Sequence, residues 1–418
     1  MKPKLLTTLP GYTRGLFLAD LLAGITVAMV ALPLSLAIAI ASGAQPADGL
    51  VTAIVAGFLI SALGGSRVQI GGPTGAFIVV VYGVIARYGY DGLVTATLMA
   101  GIILLVAGWL RAGRLIALVP EPVIEGFTIG IAIIIATSQL KDLFGMQAEV
   151  PAEFFEKLSA LWQARDSLSP AALVIGVATI VLIVALRRAA PRLPGLIVAV
   201  ALTSGAVALM ALPVETIQSR FGDLPRGLPM PRLPDLSLSR IGELMPSAFV
   251  IAFLAGVESL LSAMVADRMI GGSHRPNAEL IAQGAANLGS SLFGGMPATG
   301  AIARTATNVR AGGRTPMAGI IHALVILLVM WFAAPLAGYL AMPALAGLLM
   351  ITAWNMSEPH KWRGFLRLRR PDLFLLLLTL VLTVVADLTV AIGVGVGLGL
   401  ALRLLRRDTP SDWTPPER

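Results

Sequence analysis

Two short segments, one in each half of the chain, repeat a pattern of glycine, proline and threonine that breaks a long apolar region. The first segment, Gly71–Ala76, reads GGPTGA, and the second, Gly294–Ala301, reads GGMPATGA. A helix that begins at such a break leaves its first N–H groups unpaired, and its dipole places partial positive charge there. Two helix N-termini that face each other would therefore bind an anion without a basic side chain.

Threonine hydroxyls and glycines at the breaks are the candidate contacts for the anion. Thr74 and Thr299 would add hydroxyl donors, and the glycines would let the backbone approach the ligand closely. The alternative is that these small residues only allow close helix packing, as they do in many membrane proteins. Because the breaks occur as a pair at corresponding places in the two halves, the pattern favours a binding site.

Two charged residues lie within apolar stretches and are candidate functional groups. Glu258 interrupts a run that reads FLAGVESLLS, where a carboxylate is costly unless it faces a cavity or a partner. It would bind Na⁺ or carry a proton, and the alternative is a protonated side chain that is hydrogen-bonded to its helix. Arg304 follows the second break and would attract the anion, and the alternative is a buried ion pair that locks its helix.

The other ionisable residues carry weaker signals. Glu125 lies nearer to one face of the membrane, and we interpret it as a helix-end or gating charge. The three histidines show no ligand spacing, so the sequence predicts no metal site. The chain contains no cysteine, which excludes disulfides, thiol catalysis and Cys-ligated metals.

The composition identifies the lipid bilayer as the main partner of the chain. Of the 418 residues, 56% are hydrophobic and 13% are charged, and the mean hydropathy is +0.85. A soluble domain has about twice this charged fraction. The net charge of +8 does not indicate nucleic acid, because the basic residues occupy short loops beside apolar runs. The first apolar run, residues 16–41, is too long for the apolar region of a signal peptide.

Apolar runs close to the length of a membrane span recur along the whole chain. They predict fourteen segments, at residues 16–41, 48–63, 74–87, 92–110, 120–140, 170–187, 192–212, 243–267, 276–293, 300–311, 315–333, 335–355, 371–386 and 388–405. The third and tenth segments each follow one of the breaks and are too short to cross alone, so we interpret them as half-helices. A Pro-rich connector divides the segments into two sets of seven, and an odd number per set inverts the second set relative to the first.

These segments predict the organisation of the chain. We assign residues 1–212 to a first inverted repeat, 213–242 to the connector, 243–407 to a second inverted repeat and 408–418 to a cytoplasmic tail. With both termini in the cytoplasm, the inner loops hold most of the Lys and Arg residues, as expected for a multi-pass protein of the cell inner membrane. Residues 151–169 are polar enough to lie on the surface as a short amphipathic piece.

Several motifs resemble those of the sulfate permease (SulP) family of anion transporters. They are Gly64–Arg67 (GGSR), Gly71–Pro73 (GGP), Val119–Phe127 (VPEPVIEGF), Asn277–Gly284 (NAELIAQG), Phe293–Gly300 (FGGMPATG) and Arg304–Asn308 (RTATN). The resemblance covers residues 10–407, which is nearly the whole chain, and the combination of motifs is specific.

The resemblance implies an all-α polytopic membrane protein of seven-plus-seven inverted repeats, with a core domain and a gate domain that move as an elevator. It also implies a substrate site between the first, third, eighth and tenth segments. The residues at matching places are Ser35, Thr74, Gly75, Ala76, Phe77, Glu258, Thr299, Gly300, Ala301 and Ile302, to which we add Arg304.

Two departures from the family matter. Many members carry Pro-Gln in the first segment, where this chain has Pro33–Leu34, so this chain lacks the glutamine as a polar substrate contact. Members usually end in a cytoplasmic STAS domain, which the resemblance therefore implies for the full-length protein.

We expect a secondary active transporter of a small inorganic or organic anion, of the sulfate, bicarbonate, chloride or dicarboxylate class. We assign coupling to H⁺ or Na⁺ to Glu258 and Ser262 and expect no other cofactor. A homodimer is a possible assembly.

A nucleobase–proton symporter of the same architecture is the first alternative, although a base site would need more side-chain amides and carboxylates. An anion-binding membrane receptor is the second. The absence of HExxH, GxSxG and paired intramembrane aspartates argues against an enzyme.

Overall fold

The computed structural model describes residues 2–113, 120–148, 150–151, 153–190, 193–365, 367–386 and 388–405. Two strands of two residues each, β1 (Gly71–Gly72) and β2 (Thr299–Gly300), interrupt an otherwise helical structure. The helices are α1 (Lys4–Thr8), α2 (Arg14–Ala41), α3 (Pro46–Leu63), α4 (Ile78–Trp109), α5 (Glu121–Phe144), α6 (Phe154–Gln163), α7 (Pro170–Ala189), α8 (Gly195–Leu209), α9 (Ile217–Phe221), α10 (Leu238–Ile270), α11 (Pro276–Leu292), α12 (Ile302–Arg310), α13 (Met317–Phe332), α14 (Ala334–Gly338), α15 (Met342–Met356), α16 (Trp362–Phe365), α17 (Arg370–Val385) and α18 (Leu388–Leu405). Short 3-10 turns lie at Leu9–Gly11, Gly75–Phe77 and Ala164–Ser167.

Thirteen of the fourteen predicted segments correspond to one of these helices or to part of one, whereas the twelfth, residues 335–355, covers both α14 and α15 with a break at residues 339–341. The third and fourth segments both lie in α4, whose direction changes at Gly89 without an intervening loop. Gly89 has φ 72° and ψ 177°, a conformation that is accessible almost only to glycine. The eighth segment is longer than predicted, because α10 begins at Leu238 and takes up the end of the predicted connector.

The lengths and compositions of the helices fit a bilayer. In the described ranges, six helical stretches are long and apolar enough to cross a membrane, and four shorter apolar helices accompany them. Three of the helices, α3, α7 and α11, begin with a proline. Proline suits this position because its missing N–H would have no partner within the first turn.

The two breaks meet each other directly. Strands β1 and β2 pair antiparallel, with Gly71 opposite Gly300 and Gly72 opposite Thr299. Ala301 N also donates to the carbonyl oxygen of Ile70 at 2.8 Å. The two breaks therefore run in opposite directions where they pair, as an inverted repeat requires.

The membrane helices form two packed groups, a core and a gate. The core consists of α2, α3, α4, α10, α11, α12 and α13, and the gate consists of α5, α7, α8, α15, α17 and α18. Each group contains helices from both halves of the sequence. The groups meet where α2 packs against α8 and α15, and where α10 packs against α18. Both strands belong to the core, because β1 packs against α3 and β2 against α10.

The predicted amphipathic piece contains α6, between α5 and α7. Phe155 and Trp162 of this helix are 62% and 71% exposed, whereas Lys157 is almost fully buried. Burial lowers the pKa of Lys157, whose ammonium lies 5.6 Å from the centre of the Tyr82 ring. Val119 of the predicted motifs and the predicted tail, residues 408–418, lie outside the described residues.

A buried carboxylate joins the first core helix to the start of α13. Asp20 is fully buried and accepts hydrogen bonds from Arg314 N at 2.8 Å, Thr315 N at 3.1 Å and Thr315 Oγ1 at 2.5 Å. Tyr12 also donates to it at 3.2 Å. Burial, together with the charge of Asp20, raises the pKa of Tyr12 to about 12.

We expect Asp20→Asn to destabilise the core. The amide offers one acceptor and places an NH₂ group among donors, so at least one buried N–H or O–H loses its partner. The expected loss in the free energy of unfolding is about 1–3 kcal/mol. The measurement is the thermal unfolding midpoint in detergent, with Asp166→Asn as control because the side chain of Asp166 is 90% exposed. Equal midpoints for both variants would contradict the capping role of Asp20.

Candidate functional site

Glu258 lies on α10 and contacts the first break. Its Oε2 accepts a hydrogen bond of 2.9 Å from Thr74 Oγ1, and the residue is partly exposed. This bond joins the two halves of the sequence, so it differs from the alternative of a carboxyl bonded only to its own helix. The structure thus brings together the intramembrane carboxyl and the hydroxyl at the start of the first half-helix.

The hydroxyl of Thr299 is bonded within the protein. Thr299 is fully buried, and its Oγ1 donates to the carbonyl oxygen of Ala255 at 2.8 Å. The hydroxyl proton of Thr74 is likewise donated to Glu258. Both expected donors are therefore occupied in this structure, and a ligand that meets either hydroxyl meets the lone pairs of its oxygen.

The two glycines of the breaks lie against other side chains. A Cβ on Gly300 would overlap Nε2 of Gln69 and lie 2.6 Å from its Cδ. A Cβ on Gly75 would lie 2.9 Å from Sδ of Met356 and 3.7 Å from Cδ1 of Ile135. Gly75 thus marks a close approach between the core and the gate. Packing against these side chains therefore explains why both positions are glycine, whereas the sequence predicts that the glycines leave space for the ligand.

The remaining predicted contacts at the breaks differ in exposure. Ala76 and Ala301 are buried, and Phe77 is fully enclosed. Ile302, the first residue of α12, is 42% exposed. Of these four side chains, Ile302 is therefore the one that a ligand can reach without rearrangement.

Arg304 is buried behind the paired breaks. Its Nη2 donates to the carbonyl oxygen of Pro73 at 2.7 Å and to Ser35 Oγ at 3.4 Å, and its Nη1 lies against Gly72. Its Nε and Nη1 have no hydrogen-bond partner. The salt bridges found among the described residues do not include Arg304, so the predicted alternative of a locking ion pair is absent there. The guanidinium therefore leaves a positive charge uncompensated at the site.

Ser262 is bonded to the second half-helix. It is fully buried, and its Oγ lies 3.1 Å from Thr305 Oγ1, which accepts a hydrogen bond from Ile70 N at 3.0 Å. Ser262 and Glu258, the two residues assigned to the coupling ion, both lie on α10. The hydrogen bond of Ser262 nevertheless leads to Thr305, whereas that of Glu258 leads to Thr74.

Four buried polar residues behind the breaks were not predicted as parts of the site. They are Gln69, Ser259, Glu279 and Gln283, and at most 4% of each is exposed. Ser259 Oγ accepts hydrogen bonds from the amides of Gln69 at 2.9 Å and Gln283 at 2.8 Å, and it donates to Glu279 Oε1 at 3.1 Å. The sequence showed Glu279 only within a family motif, because apolar periodicity does not indicate which buried polar groups meet.

Two asparagines hold the backbone on either side of the breaks. Asn287 accepts from Ala298 N at 2.9 Å and donates to Ala298 O at 2.9 Å. Asn308 donates to the carbonyl oxygen of Val68 at 2.8 Å. In an apolar interior these side chains satisfy backbone groups that an unbroken helix would satisfy by itself.

Glu125 lies in a cluster of charges at the start of α5. Lys361 donates to Glu125 at 3.0 Å and to Glu358 at 2.5 Å. Burial alone would lower the pKa of Lys361, but the Glu358 and Glu125 carboxylates outweigh burial and raise it. The predicted helix-end charge is therefore paired within the gate. No group of three potential metal-binding side chains occurs in the part of the chain that the structure describes.

A cavity of about 1050 Å³ lies between the core and the gate. Tyr82 and Arg87 line it from the core, and Lys141 and Asp142 line it from the gate. The cavity reaches Ile78, the first residue of α4. It therefore extends toward the first break from the side on which α6 lies.

Comparisons with known proteins agree with this architecture. A model of the sulfate permease family matches residues 17–379. The chain is 44% identical to YvdB of Bacillus subtilis, over 88% of this chain and 69% of YvdB. It is 33% identical to the bicarbonate transporter BicA of Picosynechococcus, over 79% of this chain and 60% of BicA.

A solved structure shares the fold. The transmembrane domain of a cyanobacterial bicarbonate transporter BicA superposes with a TM-score of 0.82 at 32% identity, covering 91% of this chain and 98% of that domain. This match supports the seven-plus-seven inverted repeat with its core and gate. The relatives are named transporters, which supports a transport role and not an enzymatic one. It is a multi-pass membrane protein that belongs to the sulfate permease family.

Proposed function

We propose that the protein carries a small anion, of the sulfate, bicarbonate, chloride or dicarboxylate class, across the membrane by secondary active transport. The observation that carries this proposal is the pairing of the two breaks. It places two helix N-termini beside Glu258 and Thr74, in front of the buried charge of Arg304. Helix N-termini and an unpaired guanidinium both favour a negative ligand.

The relatives support the class of ligand. The matching family is named for sulfate permeases, and BicA is named a bicarbonate transporter. These names do not favour the nucleobase symporter or the receptor. The chain spans 69% of the length of YvdB and 60% of that of BicA, so the activity of a whole relative is part of the proposal for this chain.

We infer an elevator-type movement of the core against the gate. The helices of each group pack mainly with one another, and fewer helix pairs join the two groups. At this boundary Gly75 lies close to Ile135 and Met356 of the gate. An apolar contact of this kind, without a hydrogen bond or ion pair, suits the sliding of one packed body past another.

We assign the coupling ion, H⁺ or Na⁺, to Glu258. Its carboxyl accepts one hydrogen bond from the described residues and is partly exposed, so it retains oxygen lone pairs for a cation. Ser262 joins the ion only if its bond to Thr305 rearranges. We also propose that both termini lie in the cytoplasm and that the protein lies in the inner membrane. We further propose a homodimer, and a STAS domain in the full-length protein.

The first experiment is uptake by purified protein in liposomes. We expect at least one of labelled sulfate, bicarbonate, chloride and a dicarboxylate to accumulate, and unlabelled members of the set to compete. Uracil is included as the nucleobase probe. Uptake of uracil without any anion would contradict the proposal, and saturable anion binding without uptake would indicate a receptor.

Coupling is tested with Glu258→Gln. The amide cannot release a proton or offer a negative charge to Na⁺, so uptake should lose its dependence on the pH or Na⁺ gradient. Initial rates are measured with each gradient applied separately, and correct folding is checked by the unfolding midpoint. Glu243→Gln is the matched control, because Glu243 lies exposed on the same helix. An unchanged gradient dependence in Glu258→Gln would assign coupling to another group.

The role of Arg304 is tested with Arg304→Ala. This variant removes both the uncompensated charge and the hydrogen bond to Pro73, and hydrogen bonds of charged groups contribute about 1.5–3 kcal/mol. We expect the apparent KM for the anion to rise by about tenfold or more, with the order of preference among anions unchanged. Arg310→Ala, exposed on the same helix, is the control. A KM equal to that of the control would remove Arg304 from the site.

A further inference from the structure

The side chain of Gln69 crosses from the first break to the second. Gln69 lies two residues before β1 and is 4% exposed. Its Nε2 donates to Ser259 Oγ at 2.9 Å and to Ser259 O at 3.3 Å. On the way to Ser259 it covers Gly300, where a Cβ would overlap the same amide nitrogen.

The backbone beside Gln69 is held by the second half-helix. Val68 O accepts from Asn308, and Ile70 N donates to Thr305 Oγ1. Gln69 therefore belongs to a non-helical segment whose backbone bonds to α12 while its side chain bonds to α10. One residue thus connects both breaks with the helix that carries Glu258.

The far end of this connection is a carboxylate with many donors. Ser259 Oγ donates to Glu279 Oε1, which also accepts from Gln283 Nε2 at 3.0 Å. Glu279 Oε2 accepts from Gly65 N at 2.8 Å and Ser66 N at 3.2 Å. Four hydrogen bonds hold both carboxyl oxygens in this buried site, so Glu279 is a fixed anchor for Ser259.

We propose that Gln69 is a positioning residue for the anion site. Its amide sets how closely β2 approaches β1 and holds both strands against α10, next to Glu258. In this account Gly300 is glycine because the Gln69 amide occupies the space of a Cβ, and not because the ligand needs that space. The proposal deepens the function proposed above and rests on it for its transport readouts.

The test is a double-mutant cycle between Gly300→Ala and Gln69→Ala. Gly300→Ala alone forces the methyl group into the Gln69 amide, so we expect a lower unfolding midpoint and a KM for the anion raised by at least about tenfold. In the Gln69→Ala background the amide is absent. There, Gly300→Ala should change the KM and the midpoint little relative to that background.

Gln283→Ala is the matched background. Its amide also donates to Ser259 Oγ, but Gly300 meets Gln69 and not Gln283. Gly300→Ala should therefore remain as harmful with Gln283→Ala as it is alone. Equal harm from Gly300→Ala in all three backgrounds would overturn the proposal, since the glycine would then be required for another reason.

A second readout separates positioning from general stability. Gln69→Ala should raise the KM for the anion more than it lowers the maximal rate, whereas Asp20→Asn, whose side chain caps the start of α13, should lower the unfolding midpoint and leave the KM nearly unchanged. Loss of stability in Gln69→Ala without any change in KM would overturn the positioning role. The double-mutant coupling between Gln69 and Gly300 in the unfolding midpoint is measured without transport. It should be present even if the proposed function is wrong, and it should be absent if this inference is wrong.

Discussion

The antiparallel pairing of β1 and β2 is the contact on which the rest of the site depends. Inside a bilayer each unpaired backbone N–H or C=O group costs several kcal/mol, so a broken helix needs partners for its exposed backbone. Here the two breaks supply partners for each other, with Gly71 opposite Gly300. The side chain of Ile60 occupies the space that a Cβ on Gly71 would take, which explains glycine at that position. Neither half of the chain completes the site alone, because the two strands at its centre come from different halves and pair with each other.

Hydrogen-bond capacity separates a structural charge of the core from the charges that we propose to be functional. Glu279 accepts four hydrogen bonds and has nothing left to offer a ligand. Glu258 accepts one, and Arg304 keeps Nε and Nη1 without a partner. Buried polar groups are costly when unsatisfied, and a ligand or ion that completes them offsets that cost. Glu279 and Arg304 are both buried, so burial does not distinguish them. Their hydrogen bonds do, because those of Glu279 are all made within the protein, whereas Arg304 retains N–H groups for a ligand.

The sequence predicted the architecture well and the inner contacts of the site poorly. Apolar run length and the breaks located all fourteen segments, since both depend on local composition. Gly89 lies in the predicted connection between the third and fourth segments, but local composition did not show that one glycine would turn the helix without a loop. The contacts that the sequence missed join residues far apart in the chain. They are the hydrogen bonds of the Thr74 and Thr299 hydroxyls and those between Ser259 and Gln69 and between Glu279 and Gly65. No periodicity encodes such pairs, because burial requires a polar partner without specifying which one.

Glycine at the two breaks has two distinct physical meanings, although the motifs look alike. Gly300 faces the Gln69 amide inside the core, where all groups stay together if the core moves as one body. Gly75 faces Met356 and Ile135 of the gate, where contacts must be remade in an elevator movement. A larger residue at Gly300 strains every state of an elevator movement equally. A larger residue at Gly75 opposes only the states in which the core and the gate are closely packed there. The two matching motifs therefore have different roles. The inverted repeat relates their backbones, but the residues that pack around each motif differ.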